Sequence, residues 1–468
     1  MPKQVSLASF TGPEACDALE RYIEDTAVLE MRTQLDAARD GVPSWGWDGG
    51  PVRLMRSDGR LVPAAEFDGA GDGGGAAPPP SPTSPPSEFT TTNVQVAGVD
   101  EPDVVKNDGT RIFSLAGNLL HAVRSWPPEQ MQRAASLEIE GYPIGMFLDG
   151  DRIVVLSQIY EWYVLENGAD ARIECIGPPC GEWNTGSVKI TEVDATDMAN
   201  LRIEREAWLP GSYVAARMVE RAVHVVLADN FAYPATLEWW VENDAMLQRD
   251  PPARRSAWDT LITENEQRIR ARSLREWLPA ARVASNGGAS ELPLECGDFA
   301  RVVNAPTRLG TLTVATLAAD TGSIVRTSIV AEAGEVYASR ENLYVATRHW
   351  WSWPEIGQED ATYVHKFDIS GPDRAPYLAS GEVGGHVVDQ FSLDEAASGH
   401  LRVVTTVERR VADPQDPRNE WGRIETVNRL TVLEQRGETV LVMRRFARAV
   451  ERGQPAQALE AQARRRDV

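Results

Sequence analysis

The chain has 468 residues, with 47 Lys and Arg against 69 Asp and Glu, which gives a formal net charge of −22. An acid excess of this size repels phosphate groups and argues against nucleic acid and anionic lipid as partners. The sequence contains no run of 18 apolar residues, so it predicts no membrane span.

The first predicted unit is an N-terminal helical segment, residues 1–67. Between residues 11 and 40, apolar side chains such as Leu19 and Ile23 recur near the helical period. No apolar leader precedes this helix, so no signal peptide is visible. Residues 68–91 are rich in Gly, Pro and Ser, a composition that cannot build a core, and they are predicted to be a linker.

From residue 92 the pattern changes to short strands separated by turns. An apolar stretch, an Asp-Gly turn and a second apolar stretch occur over residues 105–113 and again over residues 147–154. Asp-Gly between alternating apolar residues is a strong hairpin signal. A second repeated pattern is a strand that ends in a turn, and it occurs at residues 187–194, 311–318, 362–368 and 428–434.

These repeats, at intervals of roughly 40 to 60 residues, are typical of the four-stranded blades of a β-propeller. An irregular β-sandwich is the alternative, but it explains the strands without the paired repeats. We therefore predict a mainly β fold, a propeller over residues 92–442 with an N-terminal helix.

Two segments interrupt the repeats. Residues 236–280 carry Trp and Leu among many charges and predict a helical insertion, whose main helix is expected from Ser256. Residues 443–468 are rich in Arg, Ala and Gln, and we expect an atypical basic tail that forms a short helix or remains loose.

Several motifs resemble those of bacterial and archaeal secreted proteins with a C-terminal β-propeller domain. The motifs are residues 92–109, 336–346, 380–383, 390–395 and 401–406, and the N-terminal helix with Cys16 is similar to the family's leader region. The resemblance covers roughly residues 8–442. It implies a propeller, an extracytoplasmic location and association with the cell surface, and it implies no activity.

The sequence departs from this family at both ends. Family members normally begin with a signal peptide, which is not visible in this chain. They also continue with further strands where this chain becomes Arg- and Ala-rich. We expect from this that the reading frame is truncated or shifted near Leu441 and that the propeller is incomplete.

Acidic residues are candidates for a metal site. Asp100, Glu101 and Asp103 lie near the start of the propeller, and Asp394 and Glu395 lie in a later copy of the repeat, over residues 391–404. Because inner strands of a propeller line a central channel, these carboxylates are placed to meet there. Clustered carboxylates favour calcium. The alternative is that they are turn-capping and solvated acids in a chain that has many.

Aromatic and sulfur-containing residues supply the other candidates. Trp350, Trp351 and Trp353 follow a predicted strand, where exposed rings would bind sugars or an apolar protein surface of the cell envelope. Packing between blades is the alternative, for these residues and for Trp239 and Trp240.

Cys175 and Cys180 enclose a turn-prone loop. They predict either a local disulfide, in an oxidising compartment, or two free thiols.

The sequence favours a secreted or cell-surface propeller that acts as a binding or scaffold module. The alternative is a metal-dependent or carboxylate-driven hydrolase that acts at the mouth of the propeller channel.

Overall fold

A computed structural model describes residues 7–40, 93–159, 186–229, 231, 233–234, 236–285, 288–303, 309–349, 360–415, 422–436 and 440–448. The predictions for the linker and for most of the basic tail lie outside these residues. The described N-terminal part contains the following elements: β1 (Leu7–Ser9), α1 (Ala15–Arg39) and β2 (Val99–Asp100).

Five antiparallel four-stranded units follow along the described chain, and we number them blades 1 to 5. Blade 1 contains β3 (Val105–Asn107), β4 (Arg111–Ala116), β5 (Leu119–Arg124) and β6 (Gln132–Glu138). Blade 2 contains β7 (Tyr142–Asp149), β8 (Arg152–Ile159), β9 (Ser187–Asp194) and β10 (Arg202–Pro210). Blade 3 begins with β11 (Ser212–Val219) and β12 (Ala222–Asp229).

An insertion then interrupts blade 3. It contains α2 (Asp244–Leu247), α3 (Pro251–Arg270), α4 (Leu274–Trp277), β13 (Ala281–Ser285), β14 (Gly288–Leu292) and β15 (Phe299–Val302). Blade 3 ends with β16 (Thr311–Leu317) and β17 (Ile324–Val330). Blade 4 contains β18 (Glu335–Ala338), β19 (Asn342–His349), β20 (Ala361–Asp368) and β21 (Tyr377–Gly384). Blade 5 contains β22 (Leu393–Glu395), β23 (Leu401–Val411), β24 (Arg423–Arg436) and β25 (Val440–Arg448).

Apolar side chains join each blade to the next. Fully buried Phe113 belongs to the core between blades 1 and 2, Phe147 to that between blades 2 and 3, and Phe367 to that between blades 3 and 4. Leu433 lies between blades 4 and 5. Burial of each such side chain contributes about 2 kcal/mol. Among the described residues no apolar cluster joins blade 5 to blade 1, so the sheets form an open propeller.

The insertion and the N-terminal helix form a helical cap on blade 3. Helix α1 is amphipathic, and its residues Leu19, Ile23 and Leu35 are buried against α3 and α4. Strand β15 pairs with β17 and with β1, whereas the hairpin β13–β14 extends blade 2 through β10. A disulfide between Cys16 and Cys296 joins α1 to the insertion.

Two local predictions are corrected. Helix α3 begins at Pro251 rather than at Ser256, because Asp250 accepts a hydrogen bond from the backbone N–H of Ala253 at 3.2 Å and proline fits the first helical turn. The start of the basic tail continues the last strand: β25 extends to Arg448 and pairs with β24, where we expected a helix or a loose segment.

Blades 1 and 4 repeat the same polar pair. His121 on β5 faces Ser136 on β6, and its Nδ1 lies 2.7 Å from the Ser136 hydroxyl. His365 on β20 faces Ser380 on β21 in the same way at 2.5 Å. The pair in blade 4 is completely buried. The pair in blade 1 is partly exposed, because the described residues place no blade against that side of blade 1.

No helix in the described part of the chain is both long enough and apolar enough to cross a bilayer.

Candidate functional site

The two ends of the blades carry different connections. Antiparallel pairing puts the links between first and second strands, and between third and fourth strands, at one end, which we call the turn face. The links between second and third strands, and those to the next blade, lie at the other end, the loop face. The turn face has tight links such as Gly150–Asp151. The insertion, residues 230–310, leaves from the loop face, so the loop face is the elaborated one.

A segment of the chain runs along the inner strands of the ring. Within residues 93–104, β2 pairs with the first strand of blade 3. The backbone of Asp103 exchanges two hydrogen bonds with Met146 on the first strand of blade 2. The side-chain amide of Gln95 donates to the carbonyl of Gln390, just before blade 5, at 3.1 Å. This central segment therefore ties several blades together.

Arg217 joins the central segment to the inner strands. Its guanidinium is buried, and Nη2 donates to the Gln390 side-chain oxygen at 2.7 Å and to the Val336 carbonyl at 3.3 Å. The same nitrogen lies 3.6 Å from a carboxylate oxygen of Glu101. A guanidinium has five donors in a fixed plane, which suits contacts with several elements at once.

Lys106 pairs with Asp100, the other acidic residue of the central segment that faces a buried cation. Its buried ammonium group donates to both carboxylate oxygens of Asp100, at 2.7 and 3.0 Å, and to the carbonyl of Glu101 at 2.7 Å. Sequence reasoning missed both cations because nothing in the spacing links them to these acids. Asp100 and Glu101 are thus paired with protein cations.

The remaining candidate acids are also engaged. Asp394 forms an ion pair with Arg402. Glu395 accepts a hydrogen bond from the Tyr344 hydroxyl at 2.7 Å. Burial and this carboxylate raise the pKa of Tyr344. The carboxylate of Asp103 accepts a bond from the next backbone N–H at 2.7 Å, as acids in turns do.

Calcium takes six to eight oxygen ligands in proteins. Within the residues that the structure describes, no three or more His, Cys, Asp or Glu side chains are placed to share a metal ion. A calcium site at Asp100, Glu101, Asp103, Asp394 and Glu395 therefore stays a prediction.

An acidic and apolar surface lies beside the Arg217 network on the loop face; we call it the ring mouth and define it by Glu335, Val388, Asp389 and Phe391. The half-buried Glu335 carboxylate forms no hydrogen bond or ion pair within the described chain. Burial, and then the neighbouring Asp389, raise the pKa of Glu335. Val388 and Phe391 are 57% and 51% exposed. The ring mouth is therefore suited to hydrogen-bond donors or cations with an apolar part.

A second polar cluster on the loop face holds blades 4 and 5 together. The buried carboxylate of Asp360 contacts His386 Nδ1 at 3.0 Å and Arg348 at 3.3 Å. It also accepts the backbone N–H of Glu408 at 3.1 Å. The partners are widely separated in sequence and show no motif, so sequence reasoning did not find them. With its oxygens engaged by three groups, Asp360 fixes the ends of β20 and β23.

A cavity of about 290 Å³ lies on the turn face between blades 2 and 3. Its charged lining is paired: Arg205 lies 3.0 Å from Glu192 and donates to the Thr321 carbonyl at 2.7 Å, and Glu206 lies 2.5 Å from Lys189. These pairs stabilise the contact between the two blades and leave the cavity largely apolar.

The other predicted residues fall outside the described chain. Trp350, Trp351 and Trp353, and also Cys175 and Cys180, are in this position. The disulfide that the structure does describe, Cys16–Cys296, was not predicted, because its two cysteines are 280 residues apart.

Comparison with known proteins gives one family match. The model of the family described as "Beta propeller domain" matches residues 89–447. An uncharacterized protein of Methanocaldococcus jannaschii, MJ1554, is 26% identical over 145 residues. This match covers 31% of the chain and 18% of that protein, so the chain spans less than a fifth of the relative's length.

Similar solved structures include the N-terminal domain of Nup159, with 8% identity, a TM-score of 0.22, and 74% of this chain and 76% of that chain covered. A hypothetical selenium-binding protein from Sulfolobus tokodaii has 8% identity and a TM-score of 0.19, and the match covers 72% of this chain and 75% of that chain. A Synechocystis apocarotenoid oxygenase mutant has 10% identity and a TM-score of 0.22, and the match covers 74% of this chain and 73% of that chain. Likenesses at these scores carry no argument.

Proposed function

The chain belongs to the beta propeller domain family, and from that premise we propose that it is an extracytoplasmic binding module that uses its loop face. In this proposal the blades are a rigid scaffold and the partner is a protein or carbohydrate of the cell envelope. The chain itself catalyses no reaction. The observation that carries the binding role is that the insertion and the ring mouth both lie on the loop face, whereas the turn face carries no insertion in the described chain.

The disulfide supports the location. Cys16, at the exposed start of α1, is bonded to Cys296, which lies in the core of the helical cap. Disulfides persist in oxidising compartments and are rare where thiols are kept reduced. A cap that depends on this bond is therefore suited to the outside of the cytoplasmic membrane, in agreement with the resemblance to secreted proteins.

The paired charges near the ring centre support a scaffold role for that region. Lys106 and Arg217 bind their acidic partners inside the protein, and removal of one buried partner would leave an uncompensated charge. The ring mouth differs, since Glu335 has no such partner within the described chain and Phe391 is exposed. We place partner binding at the ring mouth and the surrounding loop face.

Capture by envelope material tests this proposal. Purified protein is incubated with the envelope fraction of its source cells, and the bound fraction is measured against protein concentration. We expect saturable binding that Phe391→Ala weakens at least tenfold. Met131→Ala is the matched control, because Met131 is equally exposed but lies on the turn face. Absence of saturable binding, or equal binding by all three proteins, would contradict the proposal.

A carboxylate-driven hydrolase at the ring mouth is the second candidate. The observation that favours it is the proximity of Asp389 to the half-buried Glu335, whose raised pKa suits a general acid. This candidate requires turnover of a glycoside or ester substrate that Glu335→Gln abolishes while the fold is kept. The binding proposal predicts no turnover by either protein.

A further inference from the structure

The two adjacent tryptophans of the insertion lie in different environments. Trp239 packs against Tyr233, with ring centroids 5.3 Å apart and the planes nearly perpendicular. Trp240 is 63% exposed. Packing therefore accounts for Trp239 and leaves Trp240 without a structural role in the described core. An exposed indole of this size is unusual because burial of a Trp stabilises a fold strongly.

Buried groups hold the loop that carries Trp240 at both of its ends. At one end, fully buried Asn265 on α3 donates to the Glu238 carbonyl at 2.7 Å and accepts the Glu238 N–H at 3.2 Å. At the other end, the carboxylate of Asp244 accepts the indole N–H of Trp258 at 2.8 Å. The loop between Glu238 and Asp244 is thus fixed before any ligand binds, which lowers the entropy cost of binding.

The exposed residues that follow Trp240 in the loop are polar. Glu242 and Asn243 follow it in the same loop, and both are exposed. Asn243 adopts a left-handed backbone conformation with φ of 61°, which is uncommon for a residue other than glycine. The loop therefore presents an apolar ring beside carboxylate and amide groups that accept and donate hydrogen bonds.

We propose that this loop is a carbohydrate-binding platform that takes an uncharged polysaccharide. The face of a pyranose ring is lined by C–H groups and stacks on the indole, while its hydroxyls reach the neighbouring carboxylate and amide. The inference rests on the proposed function, because it names one ligand class for the loop face and places its site on the helical cap.

Other occupants fit the loop less well. An anionic membrane surface would be repelled by Glu238, Glu242 and the net charge of −22. A protein interface core is depleted in charged residues, whereas those next to Trp240 are acidic or amide-bearing. Met246 on α2, which is 66% exposed, is the exposed large apolar side chain nearest to Trp240 along the described chain.

Titration calorimetry with chitohexaose and cellohexaose tests the platform. We expect the wild-type protein to bind at least one of them and Trp240→Ala to weaken that binding at least tenfold, whereas Trp240→Phe keeps affinity within about threefold. Tyr142→Ala is the matched control, because Tyr142 is an equally exposed aromatic residue on blade 2. The thermal unfolding midpoint should be the same in every variant, since the Trp240 side chain is exposed.

Three results would overturn the platform. The first is that the wild-type protein binds neither oligosaccharide. The second is that Trp240→Ala binds as the wild type does. The third is that Met246→Ala weakens binding as much as Trp240→Ala, which would indicate a general apolar surface. Because the oligosaccharides are pure and the test of the proposed function uses Phe391 and envelope material, either proposal can fail alone.

Discussion

Two buried histidines predict that the fold loses stability in mild acid. His224 and His365 are completely buried, and their Nδ1 atoms hydrogen-bond to the hydroxyl groups of Thr316 at 3.0 Å and Ser380 at 2.5 Å. Burial disfavours the charged imidazolium and lowers the pKa of each histidine to about 4.

The direction of the effect follows from the unfolded chain, in which a histidine has a pKa of about 6.5. As the pH falls, the unfolded state takes up protons first. The stability that the neutral histidines contribute is therefore complete above pH 6.5 and is lost between pH 6.5 and pH 4. A fall of the pKa from 6.5 to about 4 corresponds to about 3 kcal/mol per histidine. For the two histidines together, acidification to pH 4 would thus lower the free energy of unfolding by about 6 kcal/mol, which is comparable to the total stability of many domains.

Urea denaturation at half-unit steps from pH 7.5 to pH 4 measures this loss. His365→Asn cannot take up a proton, so its unfolding free energy should start lower at pH 7 but fall less steeply, by up to about 1.4 kcal/mol per pH unit. His121→Asn is the matched control, because His121 forms the same bond to a serine in a partly exposed position. It should keep the wild-type slope. A wild-type slope in His365→Asn, or a wild-type stability that is constant to pH 4, would refute the reasoning.

Replacement of Cys16 and Cys296 by Ser should lower the free energy of unfolding by up to about 5 kcal/mol, because the bond closes a loop of 280 residues. Urea denaturation with and without reductant measures this loss, and an unchanged free energy of unfolding would contradict the prediction. Arg217→Met should cost about 3 kcal/mol of unfolding free energy in the same assay, because its acidic partner Glu101 is left without its cation. Arg221→Met, which breaks only exposed pairs on the turn face, should cost much less, and equal costs would contradict a stabilising role for the burial of Arg217. Asn265→Ala should lower the free energy of unfolding by about 2 kcal/mol and weaken oligosaccharide binding, because Asn265 holds the loop that carries Trp240. Unchanged oligosaccharide binding would contradict a role of this anchor in forming the site.

The local signals of the sequence predicted the blades well. The Asp-Gly turns within residues 105–113 and 147–154 connect the first two strands of blades 1 and 2. The pattern over residues 187–194 is β9 with the same bounds. These elements depend on turn chemistry and alternation within a few residues, which a single sequence contains in full.

Contacts between distant parts of the chain were not predictable in this way. The cation partners of Asp100 and Glu101 are set by which inner strands meet, and Arg217 is more than 100 residues away from both acids. The bond between Cys16 and Cys296 needs α1 to dock on an insertion that follows blade 2 and half of blade 3. Such pairs depend on how the blades and the helical cap are arranged in space rather than on spacing along the chain.

Hydrogen exchange on the protein bound to envelope material is the most direct test of the binding role. If the loop face binds the partner, peptides from the ring mouth, residues 385–392, and from the loop that carries Trp240 should gain protection. Turn-face peptides, such as those around Gly150 and Arg221, should exchange as in the free protein. Protection confined to the turn face, or no change at any peptide under saturating conditions, would contradict a binding module that acts through its loop face.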